Sequence, residues 1–326
     1  MKKYKCFALF SGGLDSMLAV MHMYRLGYQV IPIFFETPFF KADKAQKAAA
    51  EIGFELMVHD LTAKHLKMLR NPRYGFGKNM NPCIDCHGLM FKQAGILMKK
   101  HNVDFLISGE VLGQRPMSQR KDALNAVGKL SEVKDLLVRP LSQKLLSDTK
   151  PIREGWVNKE DLLDIQGRGR HRQLQMAEDL GIEYYQNPGG GCLLTDQGYS
   201  RKLHDLMQHD MLEIKYLDFL QIGRHFRINE NTKMIVGRNN EDNEKLSKLA
   251  TDEIVFHTIK FPGPLGIVQS THKLTEEEIK IAASLLLRYC SKASDRAEVE
   301  FGKNYQLESK IKVNKMDTEK VKEIQL

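Results

Sequence analysis

Short apolar runs alternate with amphipathic stretches over the first half of the chain. Residues 4–10 are apolar and end in a glycine turn, residues 17–26 follow with helical spacing, and residues 42–52 repeat that spacing. Further strands are predicted over residues 29–35, 54–59, 103–108 and 135–138. Strands separated by helices predict right-handed crossovers and a parallel sheet, with ligands at the carboxyl ends of the strands.

The pattern changes near residue 205, where an α+β arrangement replaces the alternation. The predicted elements are a helix over 206–220, a hairpin of 222–228 with 233–237, strands over 254–259 and 265–269, and a helix over 275–289. The last helix begins with the capping box Thr275 to Glu278. We therefore predict an α/β domain over residues 1–205 and a smaller α+β domain over residues 206–326.

Composition fits this division. A chain of 326 residues is long for one core, and 42% hydrophobic with 28% charged residues is typical of a folded globular protein. The net charge of +8 favours a polyanionic partner, and a lysine-rich solvated surface explains it equally. The first apolar run is too short for a signal peptide and no run is long enough to span a membrane, so we expect a cytoplasmic protein without membrane association.

The hexapeptide Ser11-Gly12-Gly13-Leu14-Asp15-Ser16 lies between the first strand and the first helix. Backbone N–H groups and the positive end of the helix dipole converge there, which suits a phosphate. The two glycines allow close approach, the hydroxyls of Ser11 and Ser16 add donors, and Asp15 can hold Mg²⁺. A Gly-Lys-Ser/Thr ending of the Walker type is absent. A turn that only joins strand to helix is the structural alternative.

Five cysteines in a chain of this length argue against a disulfide framework. Cys83 and Cys86 have the spacing that chelates a metal or cluster, and Cys192 follows the glycine-rich segment 187–191. Three thiolates can hold a [4Fe-4S] cluster and leave one iron open to an exogenous sulfur. The alternatives are Zn²⁺ with His87 as a fourth ligand, or no metal and a persulfide on Cys192 that a CxxC thiol resolves. Cys6 and Cys290 are expected to be buried small hydrophobes.

Several motifs together resemble a known enzyme family. The hexapeptide resembles the SGGxDS loop of the PP-loop ATP pyrophosphatases, which cleave ATP between the α- and β-phosphates. The motifs Ser108-Gly109-Glu110-Val111-Leu112-Gly113-Gln114, Ser118-Gln119 and Leu137-Val138-Arg139-Pro140-Leu141 resemble the catalytic core of the tRNA 4-thiouridine synthetases. The Asn-Pro-Cys-x-x-Cys segment from Asn81 is similar to that of the 2-thiouridine synthetases. The THUMP and rhodanese domains of that family are not expected here.

The resemblance implies roles for particular residues in a Rossmann-like PP-loop domain of the adenine nucleotide alpha hydrolase type. Ser11, Gly12, Gly13, Asp15 and Ser16 would hold ATP and Mg²⁺, and Phe35 and Glu36 would lie near the adenine. Gly109, Glu110 and Gln114 would line the nucleotide and target-base pocket, and helix capping with surface solvation is the alternative for Glu110 and Gln114. Asp15 is assigned a catalytic role, with Cys83, Cys86 and Cys192 as the cluster ligands or sulfur carriers.

The region after residue 205 resembles the RNA-associated domain of the NFACT group. Its basic residues could bind a phosphate backbone or form a solvated sheet face: Lys202, Lys215, Arg224, Arg227, Lys233 and Arg238. In the first domain, Arg168 and Arg170 are hypothesised to bring RNA phosphate to the site. Pairing of these arginines with Asp161, Asp164 or Glu178 is the alternative.

These observations predict an ATP- and Mg²⁺-dependent sulfurtransferase that adenylates a uridine carbonyl in tRNA and replaces its oxygen with sulfur. The expected partners are tRNA and a sulfur donor, either a protein or free sulfide, and a homodimer is left open. Two other functions are retained: ATP-dependent thiolation or amidation of a small molecule, and a nucleotide-regulated RNA-binding or ribosome-associated factor.

Overall fold

A computed structural model of the chain describes residues 3–186, 191–303 and 305–326. The chain divides into two compact units, Met1–Thr195 and Asp196–Leu326. The domain boundary predicted at about residue 205 stays a prediction, and that residue lies within a helix of the second unit, Gln197–Gln208. In the described part of the chain, no helix combines the length and the apolar character needed to cross a membrane.

The first unit is a parallel sheet covered by helices. Its strands are β1 (Lys5–Leu9), β2 (Gln29–Glu36), β3 (Met57–Asp60), β4 (Phe105–Ser108) and β5 (Leu137–Val138). Its helices are α1 (Leu14–Arg25), α2 (Asp43–Glu51), α3 (Thr62–Arg70), α4 (Cys83–His101), α5 (Lys121–Ser131), α6 (Lys150–Arg153) and α7 (His171–Leu180). The strand order is β3-β2-β1-β4-β5 and every pair is parallel, which confirms the predicted α/β class.

Side chains of β1 alternate between two hydrophobic clusters, as expected for a strand buried on both faces. Cys6 and Ala8 pack with residues of α1 such as Met17, whereas Phe7 packs with residues of α4 such as Phe91. Because the strands are parallel, their carboxyl ends meet at one edge of the sheet. That edge receives the Ser11 to Ser16 turn after β1 and the Gly109 to Gln114 segment after β4.

The second unit is an antiparallel sheet with helices, which confirms its predicted α+β class. Its helices are α8 (Gln197–Gln208), α9 (Ile214–Leu217), α10 (Asn240–Leu249), α11 (Glu276–Arg288) and α12 (Thr318–Ile324). Its strands are β6 (Arg224–Asn229), β7 (Thr232–Val236), β8 (Ile254–Thr258), β9 (Gly266–Ser270), β10 (Arg296–Lys303) and β11 (Ser309–Asn314), in the order β11-β10-β8-β9-β7-β6. The capping box at the start of α11 is present, with Thr275 and Glu278 bonding each other's backbone N–H groups.

One predicted element of this unit is broken. A single helix over 206–220 is expected from the apolar spacing, but α8 ends at Gln208 and α9 spans only Ile214–Leu217 before a 3-10 turn, Asp218–Gln221. Asp210 has a φ of 52°, which a right-handed helix cannot accommodate. The apolar periodicity therefore continues across a turn that it does not reveal.

Candidate active site

The turn between β1 and α1 has the shape expected of a phosphate-binding loop. Gly12 has a φ of 75°, and a Cβ atom at this position would lie 2.5 Å from Nε2 of Gln186 and 2.9 Å from Cα of Ala45. The Ser16 hydroxyl donates to the carbonyl oxygen of Gly13 over 2.7 Å, and the Ser11 and Ser16 hydroxyl oxygens lie 3.4 Å apart. The predicted phosphate donors Ser11, Gly12, Gly13 and Ser16 are therefore together at the start of α1.

Asp15 is at the centre of a polar network. Its Oδ2 accepts a hydrogen bond from Nε2 of Gln114 at 2.6 Å and from a guanidinium nitrogen of Arg170 at 2.9 Å. Nε2 of Gln173 lies 3.5 Å from Asp15 Oδ1 and 2.9 Å from the side-chain oxygen of Gln114. Gln114, predicted from its motif alone, thus belongs to the same site as the phosphate loop.

Gly109 permits a close approach between the end of β4 and the start of α1. A Cβ atom here would lie 2.4 Å from the carbonyl oxygen of Asp15 and 2.5 Å from the amide nitrogen of Ser16. Both distances are below any real contact of a Cβ atom, and both partners are backbone atoms that cannot move aside. The residue is a glycine because the two backbones touch.

Glu110 is a buried carboxylate held between two basic side chains. Arg139 Nε donates to its Oε2 over 2.8 Å, Nδ1 of His87 lies 3.1 Å from its Oε1, and the Ser108 hydroxyl donates to Oε2 over 3.2 Å. Burial would raise the pKa of Glu110, but the Arg139 guanidinium and the His87 ring outweigh burial and lower this pKa to about 2. Glu110 is therefore an anion at any physiological pH, and its neighbours are fixed by charge.

Phe35 and Glu36, predicted near the adenine, have other contacts. The Phe35 ring is buried and packs edge-on against His59, with ring centroids 5.7 Å apart. A Glu36 carboxylate oxygen accepts the N–H of Ala42 over 3.1 Å, just before α2 begins. The assignment of both residues to an adenine pocket stays a prediction.

The CxxC pair lies at the start of a helix. Cys83 is the first residue of α4, and its sulfur accepts a hydrogen bond from the Asn81 amide over 3.3 Å. One turn later the Cys86 sulfur lies 3.4 Å from Nε2 of His65, a buried side chain whose pKa is lowered to about 4 by burial. The CxxC thiols are therefore anchored by two polar side chains that the motif does not include.

Cys192 lies close enough to the CxxC pair for the three thiols to interact. Burial, followed by the charges of Cys192 and Cys83, raises the pKa of Cys86 well above its usual range. Burial also raises the pKa of Cys192 to about 11, with a further contribution from Cys83 and an opposing one from the backbone N–H of Leu194. The raised pKa values mean that Cys86 and Cys192 are neutral thiols at physiological pH.

Two hydrogen bonds fix the chain around Cys192. Leu193 N–H donates to the carbonyl oxygen of Phe39 over 3.1 Å, and the Phe39 ring packs against His65. The Asn79 amide donates to the carbonyl oxygen of Thr195 over 2.6 Å. Of the glycine-rich segment predicted before Cys192, residues 187–190 lie outside the described residues.

The described side chains around the cysteines can be compared with what a metal site needs. Within residues 3–186, 191–303 and 305–326, no group of three or more His, Cys, Asp or Glu side chains is arranged as a preformed metal site. His87, the predicted fourth zinc ligand, uses its Nδ1 toward Glu110. All five cysteines are free thiols, and Cys6 and Cys290 are buried as expected.

Contacts connect the thiols to the phosphate loop. His87 follows Cys86 directly in α4 and reaches Glu110, and Gly109 touches the backbone of Asp15 and Ser16. Two guanidinium nitrogens on this path, Nη2 of Arg139 and Nε of Arg170, are buried and have no hydrogen-bond partner among the described residues. The site therefore contains donors available to a ligand.

Sequence reasoning missed several of these side chains or gave them another place. Arg170, hypothesised to bring RNA phosphate to the site or to pair with Asp161, Asp164 or Glu178, contacts Asp15, while Arg172 pairs with Asp164 at 2.6 Å. The RNA role of Arg170 stays a prediction. Gln173 and His65 carried no motif signal, because their roles depend on contacts between distant segments. Arg139 stood within a recognised motif and was given no role.

Basic residues of the second unit are less available than expected. Lys233 is fully buried and its Nζ lies 2.8 Å from Asp205 Oδ2, the same carboxylate that Arg227 contacts at 2.6 Å. The Lys202 ammonium donates to the carbonyl oxygen of Leu220 over 2.9 Å. These cations stabilise the unit internally, so a phosphate backbone would have to contact other basic residues.

Two family models match this chain. Residues 2–144 match the family described as "Thiamine biosynthesis protein (ThiI)", and residues 223–324 match "NFACT protein RNA binding domain". The first match contains the phosphate loop, the CxxC pair and Glu110. Arg170 and Cys192 lie beyond it.

Two curated relatives share the first region. Both are named "Probable tRNA sulfurtransferase", from Methanosarcina mazei and Methanosarcina acetivorans, and both are 29% identical to this chain, over 116 and 112 residues. The alignments cover 34% and 32% of this chain but only 29% and 27% of the relatives. The chain thus matches less than a third of the length of either one.

Solved structures also resemble the chain at low similarity. A 4-thiouridine synthetase in complex with RNA and bound ATP is 18% identical, with 55% of this chain and 52% of that one covered and a TM-score of 0.36. A predicted subunit of tRNA methyltransferase from Methanocaldococcus jannaschii is 16% identical over 54% of this chain and 76% of that one, with a TM-score of 0.35. The C-terminal part of a fibronectin/fibrinogen-binding protein from Streptococcus suis is 12% identical over 81% and 98%, with a TM-score of 0.29.

Proposed function

We propose that this chain, which carries a ThiI-family domain and an NFACT RNA-binding domain, is an ATP-dependent RNA sulfurtransferase that thiolates a uridine in tRNA. The observation that supports this most is the continuous path of contacts from Cys86 through His87, Glu110 and Gly109 to the phosphate loop. It brings a nucleotide-binding turn and three interacting thiols into one unit. An enzyme that activates a carbonyl with ATP and then delivers sulfur needs both.

The activation step uses the phosphate loop. The backbone N–H groups of Gly12 and Gly13 and the Ser11 and Ser16 hydroxyls would bind ATP phosphates, with Asp15 as the residue that would hold Mg²⁺. The uridine carbonyl oxygen attacks the α-phosphorus, the bond to the β-phosphate oxygen breaks, and pyrophosphate leaves. The base releases its ring N–H proton to solvent water as the carbonyl becomes an adenylate ester.

The sulfur step occurs at the same carbon. Hydrosulfide adds to the adenylated carbon, AMP leaves with the original carbonyl oxygen, and the hydrosulfide proton moves to the ring nitrogen to give the thiocarbonyl. In the persulfide alternative, the outer sulfur on Cys192 adds instead, and a CxxC thiol then attacks the inner sulfur, which breaks the S–S bond, releases the thiocarbonyl and leaves a cysteine disulfide. Holding the nucleophile beside the activated carbon makes the displacement effectively unimolecular. Glu110, held as an anion between Arg139 and His87, would orient the reacting base through this rigid array.

The residues that would hold a [4Fe-4S] cluster are Cys83, Cys86 and Cys192. All three are free cysteines, and contacts from Asn81 and His65 hold Cys83 and Cys86 at the start of α4, which supports this donor set. When bound, the cluster would supply an iron that has no protein ligand and can bind sulfur. The test of this donor set is the content of iron and acid-labile sulfide after anaerobic purification, with Cys290→Ala as the control variant. One equivalent of zinc, or full activity without metal, would favour the zinc or the persulfide alternative.

The RNA partner is inferred from the second unit. Its match to an RNA-binding domain supports contact with the tRNA, and exposed basic residues outside the Asp205 ion pairs would provide it. The cytoplasmic location, a homodimer, and a protein or free sulfide as donor stay predictions.

Pyrophosphate release tests the proposal against its alternatives. With MgATP and sulfide under anaerobic conditions, we expect release to require unmodified tRNA and to be lost in Asp15→Asn. Release without RNA would indicate a small-molecule substrate. RNA affinity without any release would indicate a nucleotide-regulated binding factor.

A further inference from the structure

The segment that leads into the CxxC pair exposes aromatic rings to solvent. Residues 71–82, called the aromatic loop below, connect α3 to α4 and end immediately before Cys83. Within this loop the Tyr74 side chain is 43% exposed and Phe76 is 37% exposed. Two large rings two residues apart, each more than a third exposed, form an apolar patch on the surface.

The shape of the aromatic loop is fixed by its own backbone contacts. The buried carboxylate of Asp85 accepts the N–H groups of Arg73 at 2.7 Å and Tyr74 at 3.0 Å. The Gly77 N–H donates to the carbonyl oxygen of Asn81 over 3.0 Å. The rings are therefore presented by an ordered turn, and binding to them does not require the loop to fold first.

Both glycines of this turn are required by its geometry. Gly75 has a φ of 71°, which favours glycine. A Cβ atom on Gly77 would lie 2.6 Å from Nδ2 of Asn81. The segment Tyr74-Gly75-Phe76-Gly77 thus places Phe76 between two positions where only glycine fits easily.

The aromatic loop is also part of the thiol site. Asn81 donates to the Cys83 sulfur at 3.3 Å, and Asn79 donates to the carbonyl oxygen of Thr195, three residues after Cys192. The loop that orients the sulfur ligands and the loop that exposes the rings are one structure.

The charged side chains of the aromatic loop indicate what kind of molecule binds to it. Arg73 and Lys78 are exposed in the aromatic loop, and neither side chain forms an ion pair within the described part of the chain. Aromatic rings beside unpaired cations match unpaired nucleotides, because the rings stack on bases while the cations contact phosphates.

We propose that the aromatic loop binds unpaired RNA bases next to the target uridine, with Tyr74 and Phe76 as stacking platforms and Arg73 and Lys78 as phosphate contacts. The inference rests on the proposed function for its RNA substrate. It adds a recognition surface in the first unit, apart from the RNA-binding domain of the second unit. It also implies that the substrate is bound as a loop or a frayed end, since bases within a duplex cannot stack on protein rings.

Binding of RNA to the full-length protein tests this surface. Tyr74→Ala with Phe76→Ala should weaken affinity for a single-stranded oligonucleotide at least ten-fold, from the loss of two stacking contacts, and should change affinity for a duplex of equal length much less. Tyr24→Ala, which removes a tyrosine that is 57% exposed in α1, is the matched control and should change neither. ATP affinity measured on the same samples shows that the fold and the phosphate loop are intact.

A second variant, in which Phe76 is replaced by another aromatic residue, tests the proposal without removing a ring from the fold. Phe76→Trp should retain RNA affinity. The oligonucleotide should quench the fluorescence of the Trp at position 76, and this quenching should exceed the change that the wild-type protein shows from Trp156, its single tryptophan. Wild-type affinity in the double alanine variant, or no quenching of Trp at position 76, would overturn the inference. Unchanged RNA affinity with lost thiolation would also overturn it, and would indicate that the rings dock a sulfur-donor protein. Failure of the wild-type protein to bind RNA at all would instead refute the proposed function.

Discussion

The guanidinium of Arg170 lies 2.9 Å from the carboxylate of Asp15, although the two residues are 155 positions apart. Arg170 precedes α7, beyond the part of the chain that matches the ThiI family, and Asp15 lies in the first turn of α1. Both side chains are largely buried, so the pair lies inside the site and not on its rim. The segment after residue 144 therefore contributes to the polar network around Asp15.

Substitution of Arg170 tests whether this side chain contributes to ATP binding. Arg170→Ala should weaken MgATP binding about ten-fold, because the charge-assisted hydrogen bond that orients Asp15, the proposed Mg²⁺ ligand, is lost. Arg172→Ala, which breaks the exposed pair with Asp164, is the matched control and should leave binding unchanged. Isothermal titration with ATP and Mg²⁺ measures both, and equal affinities would contradict a role for Arg170.

Gly109 provides a steric test of the same site. Gly109→Ala should destabilise the first unit by about 2–3 kcal/mol and abolish ATP binding, because a methyl group would be forced against the backbone of Asp15 and Ser16. Gly169→Ala is the control, since a Cβ atom there meets no other atom within 4 Å. Urea denaturation measures the stability of both variants. A stable Gly109→Ala protein that binds ATP would show that the two segments separate in solution.

The lowered pKa of Glu110 predicts that the stability of the folded protein depends on pH. Its folded-state pKa of about 2 lies below the ordinary value of 4.5, so its contribution to stability is fully present above pH 4.5 and is lost as pH falls toward 2. Glu110→Gln should destabilise the protein on the order of 3 kcal/mol at pH 7, because it leaves the Arg139 cation buried without a counter-charge.

The difference in unfolding free energy between wild type and Glu110→Gln should then shrink as pH falls from 4.5 toward 2. Glu160→Gln, at an exposed pair with Lys144, should show little effect at any of these pH values. Urea denaturation across this range is the measurement. A difference that does not change with pH would mean that Glu110 is not held ionised by Arg139.

In the second unit, the carboxylate of Asp205 stabilises two buried cations. Asp205→Asn should lower the stability of this unit by about 3–5 kcal/mol, since Arg227 and Lys233 lose their counter-charge. Glu213→Gln, at the exposed pair with Lys215, should have little effect on this stability.

Lys233→Met should leave the salt dependence of RNA binding unchanged. A smaller slope of log affinity against log salt concentration would show that this lysine contacts phosphate.

Much of the fold was predictable because it depends on local patterns. The apolar runs of β1 and β2 and the glycine turn after β1 are visible in the sequence, and so is the capping box of α11. The apolar residues of β10 also alternate, but the prediction assigned no element there. The break at Asp210 was not predictable, because the apolar spacing continues through it.

The arrangement of the site was predictable within a motif, as at Ser11 to Ser16, while the roles assigned to those residues, to Gln114 and to the three cysteines stay predictions. It was not predictable where two distant segments meet. The pairing of Arg170 with Asp15, the contact of His65 with Cys86 and the close approach of Gly109 to α1 all depend on packing that no local pattern encodes.

The most direct test of the account is the nucleoside composition of tRNA after reaction with the purified protein. Unmodified tRNA incubated anaerobically with MgATP and sulfide should yield a thiouridine by mass spectrometry, with one AMP and one pyrophosphate formed for each sulfur incorporated. Cys192→Ser should abolish the thiouridine, and Cys290→Ala should not. ATP cleavage to AMP and pyrophosphate without any thionucleoside would contradict the account.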